Sequence, residues 1–429
     1  MRSLFRYQAQ VLEWAKDRDR IALFLEMRLG KTLVTLRWLQ HKQPQSTLVV
    51  APKAVIPVWL DEAEQEGIPC VAKQGGLSQP EMGLQVISYQ SYRINQSMQD
   101  FSWDCVILDE STHIKNPLAS VTKKLIAATD APYRAILSGN AAPESLLDYF
   151  CQVRWLRGHF FFFFSYWHFR SGYFKVGYSG FIWLPKAGTK SKIATELADF
   201  SYILTRKKAG IDNRKIKRKV SLDMSSGLRE VYRSAEKDFE ILGHQTKWRC
   251  VIHTWMARLV GGCHPFYRDS YKIDKLVNLL EGPLSECGPI VIWFAYRSEL
   301  DTVGARIENR WYTSRVWGKQ SVKDRRLQLD NWNLSENGVL LAQVHSVKFG
   351  MDFSHADTSI YFSNPWSAEA RTQSEDRIVH PRKDKPLLYI DLITRDSLDE
   401  DVLKALRNKK KRDIRGLITL NFRNRLKCT

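Results

Sequence analysis

The chain has 429 residues, about three times a typical domain, so two or three domains are expected. Apolar residues make up 44%, which excludes a disordered chain, and seven cysteines are too few for a disulfide scaffold, which suits a reducing compartment. Lys and Arg number 65 against 46 Asp and Glu, and the net charge of +19 points to a polyanionic partner, nucleic acid ahead of a membrane surface.

The first twenty residues lack an apolar core of signal-peptide length, so export is not expected. Short β-branched runs then recur between helix-length segments: 21–26, 47–52, 85–89, 105–110 and 133–139. From 149 to 185 the composition changes: sixteen of thirty-seven residues are aromatic and none is acidic. Its most apolar run, Phe160 to Phe164, is far short of the ~20 residues that cross a bilayer. A basic stretch follows, Arg206 to Lys219, and then a helical pattern over 226–262. A second series of strands occupies 290–296, 338–343, 358–363 and 387–394, and a basic tail runs from Lys404 to Arg415. No repeat of solenoid period is present.

Strands alternating with helices imply α/β architecture, with parallel sheets covered on both faces. Two series imply two lobes. The expected division is a first lobe at 1–149, an aromatic-rich insertion at 150–205, a basic linker and helical insertion at 206–270, and a second lobe with its tail at 271–429.

The segment Glu26-Met27-Arg28-Leu29-Gly30-Lys31-Thr32 follows a strand and opens a helix, the setting a phosphate-binding loop needs. Gly30 lets the backbone approach phosphate, and the N–H groups of the helix start carry partial positive charge. Lys31 would reach the β- and γ-phosphates, and the Thr32 hydroxyl would ligate Mg²⁺. Asp109-Glu110 ends the strand 105–109 and delivers two carboxylates at its C-terminal end. Asp109 would hold Mg²⁺ and Glu110 would deprotonate the attacking water. Arg377 is the candidate for the cation that meets charge developing on the γ-phosphate. Contributed across a cleft, it would let ATP close the lobes.

The ordered set resembles superfamily 2 helicases, most closely the Swi/Snf-type translocases of double-stranded DNA. Arg6-Tyr7-Gln8 resembles the family's adenine-reading glutamine motif, and 26–32 its D-M-G-L-G-K-T, which assigns Tyr7, Gln8, Leu29, Gly30, Lys31 and Thr32 to ATP. The run 49–62 resembles its proline and tryptophan pattern. Asp109 to Asn116 resembles D-E-A-H-x-x-K-N, Leu137-Ser138-Gly139 its L-T-G, and Arg258 to Pro265 its cysteine-x-proline segment. Gly350-Met351-Asp352 and Gln373 to Arg377 resemble the last two motifs.

The likeness covers about residues 5–405. It implies two tandem RecA-like lobes with mostly helical insertions, and an ATPase using ATP and Mg²⁺ with Lys31, Asp109, Glu110, Gln373 and Arg377 as catalytic residues. It also implies DNA, duplex favoured, gripped by its backbone near Lys53, Ser88, Tyr89, Gln90, Ser346 and Lys348, since phosphate contacts position without reading sequence. The basic stretches 206–219 and 404–415 would add salt-sensitive affinity. The compact, divergent motifs suggest a minimal bacterial or phage version acting in the cytoplasm.

Departures from the pattern are specific. Arg28 replaces a loop glycine, Thr112 a histidine, and Asn140-Ala141 the T-P after L-T-G. The family's second arginine is His380 here, with Arg382 two residues beyond. The aromatic segment reads either as a small core or as a platform for unpaired bases, the core being favoured, with an exposed Phe160–Phe164 tip reading as a partner contact. Cys250, His253, Cys263 and His264 do not have the spacing of a zinc site, so structural zinc is not expected. The rivals to a duplex translocase are a strand-separating DNA or RNA helicase and a nucleotide-gated DNA-binding scaffold with little turnover.

Overall fold

A computed structural model describes residues 2–73, 82–95, 101–128, 130–177, 182–211, 214–246, 248–346, 351–380, 383 and 385–410. The chain forms two compact units that divide between residues 212 and 213. Among the described residues no helix is long and apolar enough to cross a membrane.

The first unit is built on a sheet of β1 (Arg20–Leu25), β2 (Ser46–Ala51), β3 (Cys70–Ala72), β4 (Gly83–Ser88), β5 (Cys105–Asp109), β6 (Tyr133–Leu137) and β9 (Ser201–Leu204). Their spatial order is β3-β4-β2-β5-β6-β1-β9, and every pairing is parallel. The central strands are mostly apolar because both faces are covered. Ala22, Phe24, Val50, Leu108 and Ile136 belong to one buried cluster. Their alternates Ile21, Leu23, Leu25, Val49, Ile107 and Leu137 belong to another, on the opposite face. α1 (Arg6–Lys16) and α2 (Lys31–Lys42) contribute Val11, Trp14, Val34 and Trp38 to this second cluster.

The aromatic segment packs into the first cluster: Phe150, Trp155, Phe160, Phe169 and Phe174 are all within 1% of complete burial. Its short hairpin pairs β7 (Phe174–Val176) with β8 (Trp183–Pro185). It is thus a core beside the sheet, as the density of aromatic residues suggested.

The second unit carries a parallel sheet of β10 (Lys215–Leu222), β13 (Ile290–Phe294), β14 (Thr313–Val316), β15 (Val339–Gln343), β16 (Thr358–Tyr361) and β17 (Leu387–Thr394), in the order β10-β17-β16-β13-β15-β14. A two-stranded ribbon, β11 (Glu240–Ile241) with β12 (His244–Gln245), lies between the helices Ser226–Asp238 and Arg249–Val260.

The structure corrects the expected linker. Lys215–Leu222 is an edge strand paired along its whole length with β17. Its lysines meet internal acids: Lys215 reaches Asp376 at 3.2 Å, Lys217 reaches Glu375 at 2.6 Å and Lys219 reaches Glu400 at 3.2 Å. Arg206 lies 3.5 Å from Glu26. Much of the basic stretch 206–219 is therefore engaged by the protein itself, which leaves less of it for nucleic acid than its composition suggested.

Candidate nucleotide site

In a parallel sheet all strands end on one edge, and loops at that edge share a neighbourhood. β1 and β5 end there on either side of β6. The loop after β1 turns through Arg28, in the left-handed region at φ 67°, and Gly30 at φ 78°, and α2 begins at Lys31. No side chain caps α2, so its first N–H groups are not taken up by a cap. Gly30 is required: a β-carbon there would stand 2.2 Å from Gln8 Nε2.

Gln8 is buried beneath the loop. Its Nε2 donates to Leu29 O at 3.2 Å and its Oε1 accepts from Phe5 N at 2.9 Å, so it ties α1 to the loop. Tyr7 is half-buried and stacks on Phe5, ring centroids 5.6 Å apart. Lys31 Nζ donates to Leu25 O at 3.1 Å, turned back over the strand end, and Thr32 is half-buried beside it.

Asp109 is buried. Its Oδ2 accepts from Trp59 Nε1 at 2.8 Å and its Oδ1 from Glu110 N at 2.9 Å. Burial raises its carboxyl above the ordinary range, while the Trp59 hydrogen bond and the Lys31 charge pull it back. Lys31 and Asp109 thus feel each other across the end of β6, although seventy-odd residues of chain separate them. Glu110 is also buried and takes a left-handed backbone at φ 49° to start the 3-10 turn Ser111–Ile114.

The donor set suits a divalent cation bound together with phosphate. Asp109 and Thr32 offer hard oxygens, and Mg²⁺ commonly takes one or two protein ligands with the rest from phosphate and water. Burial disfavours the charged form of Asp109, and a bound cation would offset that.

Several expected contacts lie elsewhere. Tyr89, expected against nucleic acid, is buried: its OH donates to Asp109 O at 2.9 Å and its ring stacks on His113 at 4.6 Å. Ser88 is buried and caps the following helix by accepting from Ser91 N at 3.0 Å. Tyr89 therefore braces the end of β5 and Ser88 the start of the helix after β4, and neither side chain is exposed in this state. Lys53 and Gln90 are exposed. In the second unit, Ser346 donates to Gln343 Oε1 at 2.9 Å, and Lys348 and Arg382 lie outside the described residues. Gln373 Nε2 donates to Glu369 Oε1 at 3.2 Å. Arg377 is buried, its Nη1 donating to Met351 O at 3.0 Å.

Three residues with no assigned role prove central. Trp59 orients Asp109, and only the tryptophan in 49–62 hinted at it. Gln152 accepts from the Ser111 hydroxyl at 2.6 Å and donates to Ala141 O at 2.7 Å, joining the acidic motif to the segment after Ser138-Gly139. Nothing in the aromatic run marks it. Arg371 is buried over the Tyr361 ring, 3.3 Å from its centroid, and bonds Glu375 at 3.0 Å and Asp391 at 2.5 Å. Burial works against the charge of Glu375, yet Arg371, Lys217 and Lys215 bring it down to about 2.

Known proteins similar to this chain share one family. The chain is 23% identical to the ISWI chromatin-remodeling complex ATPase ISW1 of Saccharomyces cerevisiae, over 95% of this chain and 40% of the relative. It is 24% identical to a probable ATP-dependent DNA helicase of Arabidopsis thaliana, over 94% of this chain and 41% of the relative. It therefore spans about two fifths of the length of these relatives. The Sulfolobus solfataricus SWI2/SNF2 ATPase core in complex with dsDNA superimposes with a TM-score of 0.47 and 18% identity, over 96% of this chain and 92% of that one. The SNF2-related domain matches residues 7–257, more than half of the chain and the whole of the loop, the acidic motif and their braces, so the chain belongs to the SNF2-related family.

Proposed function

We propose that the protein is an ATP-dependent motor that moves along duplex DNA. The observation that carries this is the placing of Lys31 and buried Asp109 at the same edge of the first sheet, beside a helix N-terminus that no side chain caps. In this reading Lys31 leaves Leu25 O and binds the β- and γ-phosphates, while the first turn of α2 holds the phosphates through its N–H groups. Bound Mg²⁺, held by Thr32 and Asp109, would neutralise charge on the phosphates. Trp59 fixes the Asp109 carboxylate, and Glu110 accepts the proton of the attacking water. Gln373 and Arg377 serve the same reaction by family likeness, Arg377 stabilising charge on the transferred phosphoryl group.

Duplex DNA as the track is supported by the net charge of +19 and by relatives described as a chromatin-remodeling ATPase and a DNA helicase. The test is the ATPase rate with no nucleic acid, duplex DNA, single-stranded DNA and RNA. Stimulation should be strongest with duplex and fall with salt, because phosphate contacts release counterions. Equal rates in all four would overturn the motor reading, and a maximum with single strands or RNA would replace the duplex.

A further inference from the structure

The aromatic segment has a tip as well as a core. Phe160 N donates to Phe163 O at 3.1 Å and Phe163 N to Phe160 O at 2.9 Å, so Phe161 and Phe162 form a two-residue loop. Both have positive φ, 51° and 62°. Asn, Asp or Gly usually occupy such a turn, and bulky residues are strained in it. Strain of this kind persists where the surroundings over-determine it, and it gathers at functional sites. Phe161 turns inward, 4.9 Å from the Tyr173 ring. Phe162 turns outward: it is 84% exposed, with one face laid parallel on His159 at 5.3 Å.

Its neighbours extend the same character. Phe164 is 64% exposed and Trp167 46%. The Arg170 guanidinium lies over the rings of both Trp167 and Trp183, at 4.5 and 4.0 Å. Flat apolar faces are thus presented outward, with His159, His168 and Arg170 among them, in a stretch from 149 to 185 that contains no acidic residue. A ligand matching this surface has flat π faces and negative charge. A single strand with unpaired bases has both, whereas an apolar protein surface has no use for the missing acids.

We propose that the Phe162–Phe164–Trp167 tip is a stacking site for the unpaired bases of a single-stranded nucleic acid. This goes beyond the duplex-motor reading and does not depend on the ATP site. Stacked rings discriminate poorly among bases, so the site would be sequence-tolerant.

The experiment measures binding of the full chain to an oligo(dT) strand, and to an abasic strand of equal length, without nucleotide at fixed salt. The double substitution F162A/F164A should weaken oligo(dT) binding about tenfold or more, the scale of a lost base–aromatic stack, and leave duplex-stimulated ATPase unchanged. F162W/F164W should restore binding, and the abasic strand should bind wild type as weakly as oligo(dT) binds the alanine variant. A 2-aminopurine in the strand should change its emission on binding wild type and not on binding F162A/F164A. Phe162→Gly separates binding from folding: it relieves the turn, so the melting temperature should rise while oligo(dT) affinity falls. Unchanged oligo(dT) affinity in the alanine variant, or an abasic strand bound as tightly as oligo(dT), would overturn the proposal. Loss of self-association with oligo(dT) binding intact would assign the tip to a protein contact and overturn it too.

Discussion

The Gln8 side-chain amide occupies the space that a β-carbon on Gly30 would need, 2.2 Å from its ideal position. Gly30 is also at φ 78°, so alanine there meets two separate penalties. Gly30→Ala should cost about 2–4 kcal/mol, the sum of left-handed strain and overpacking. Gln8→Ala should return the overpacking part in the double variant and leave the backbone part. Thermal denaturation of the four proteins of this cycle measures the coupling, and strict additivity would show that the two residues do not compete for space.

Lys31 and Glu110 should fail differently. Lys31→Ala removes a phosphate ligand and should weaken both nucleotide binding and turnover. Glu110→Gln removes only the base, so binding should persist while kcat collapses. Nucleotide affinity by fluorescence, set beside steady-state turnover, distinguishes them, and ordinary turnover in E110Q would remove Glu110 from the chemistry.

Arg28 stands where the loop pattern it resembles has glycine, and its φ of 67° suits that residue. Arg28→Gly relieves ~1–2 kcal/mol of left-handed strain. The freer unfolded chain offsets part of that, leaving a gain of about 0.5–1 kcal/mol. The urea midpoint should rise. A lower midpoint would mean that contacts of the Arg28 side chain outweigh its backbone strain.

Glu299 should make the stability of the second unit depend on pH. Burial pushes its carboxyl up to about 7, against hydrogen bonds from Ser363 and Tyr296 N and the charge of Lys272, while Asp399 adds to the rise. A folded pKa above the unfolded one means that the native state holds its proton more tightly. The stabilisation is therefore full below the unfolded value of ~4.5 and is lost as pH rises toward 7. Melting temperature should fall across that window and Glu299→Gln should flatten the fall, by up to about 3 kcal/mol at pH 8 from 1.36 kcal/mol per unit. An identical pH profile in E299Q would show that other groups set the slope.

Arg371 and Arg377 lie six residues apart and should report on different properties. Arg371→Met leaves buried Glu375 and half-buried Asp391 without their main cation, a loss of about 3–5 kcal/mol seen in denaturation. Arg377→Ala should act on kcat, by ~10³-fold if it meets the transferred phosphoryl group. Turnover in R377A that matches wild type, measured on folded protein, would place that cation elsewhere.

The strands with uninterrupted apolar runs were readable because burial on both faces leaves little choice of residue. Ile21–Leu25, Cys105–Leu108 and Ile290–Phe294 are examples. Lys215–Leu222 was not readable, because an edge strand paired on one side tolerates lysines, and its partners Glu375, Asp376 and Glu400 are remote in sequence. Lys31, Asp109 and Glu110 were legible from local motifs. The braces Trp59, Tyr89 and Gln152 were not, because hydrogen bonds to residues 50, 20 and 41 positions away leave no local periodicity. Tyr89 shows the cost: a polar residue at a strand end reads as a surface contact until its hydroxyl is seen to support Asp109 from within.

The pairing of β10 with β17 also orders events during synthesis. Lys215 aligns with Leu387 and Leu222 with Thr394, so the first strand of the second unit waits for the last described one before its backbone groups are paired. At ~5–20 residues per second that wait is on the order of ten seconds or more on the ribosome. During it, a lysine-rich strand stands with an open edge, and the like charges of Lys215, Lys217, Arg218 and Lys219 repel a second nascent copy. The residues that disguise this strand in the sequence thus also guard it against pairing with the wrong chain.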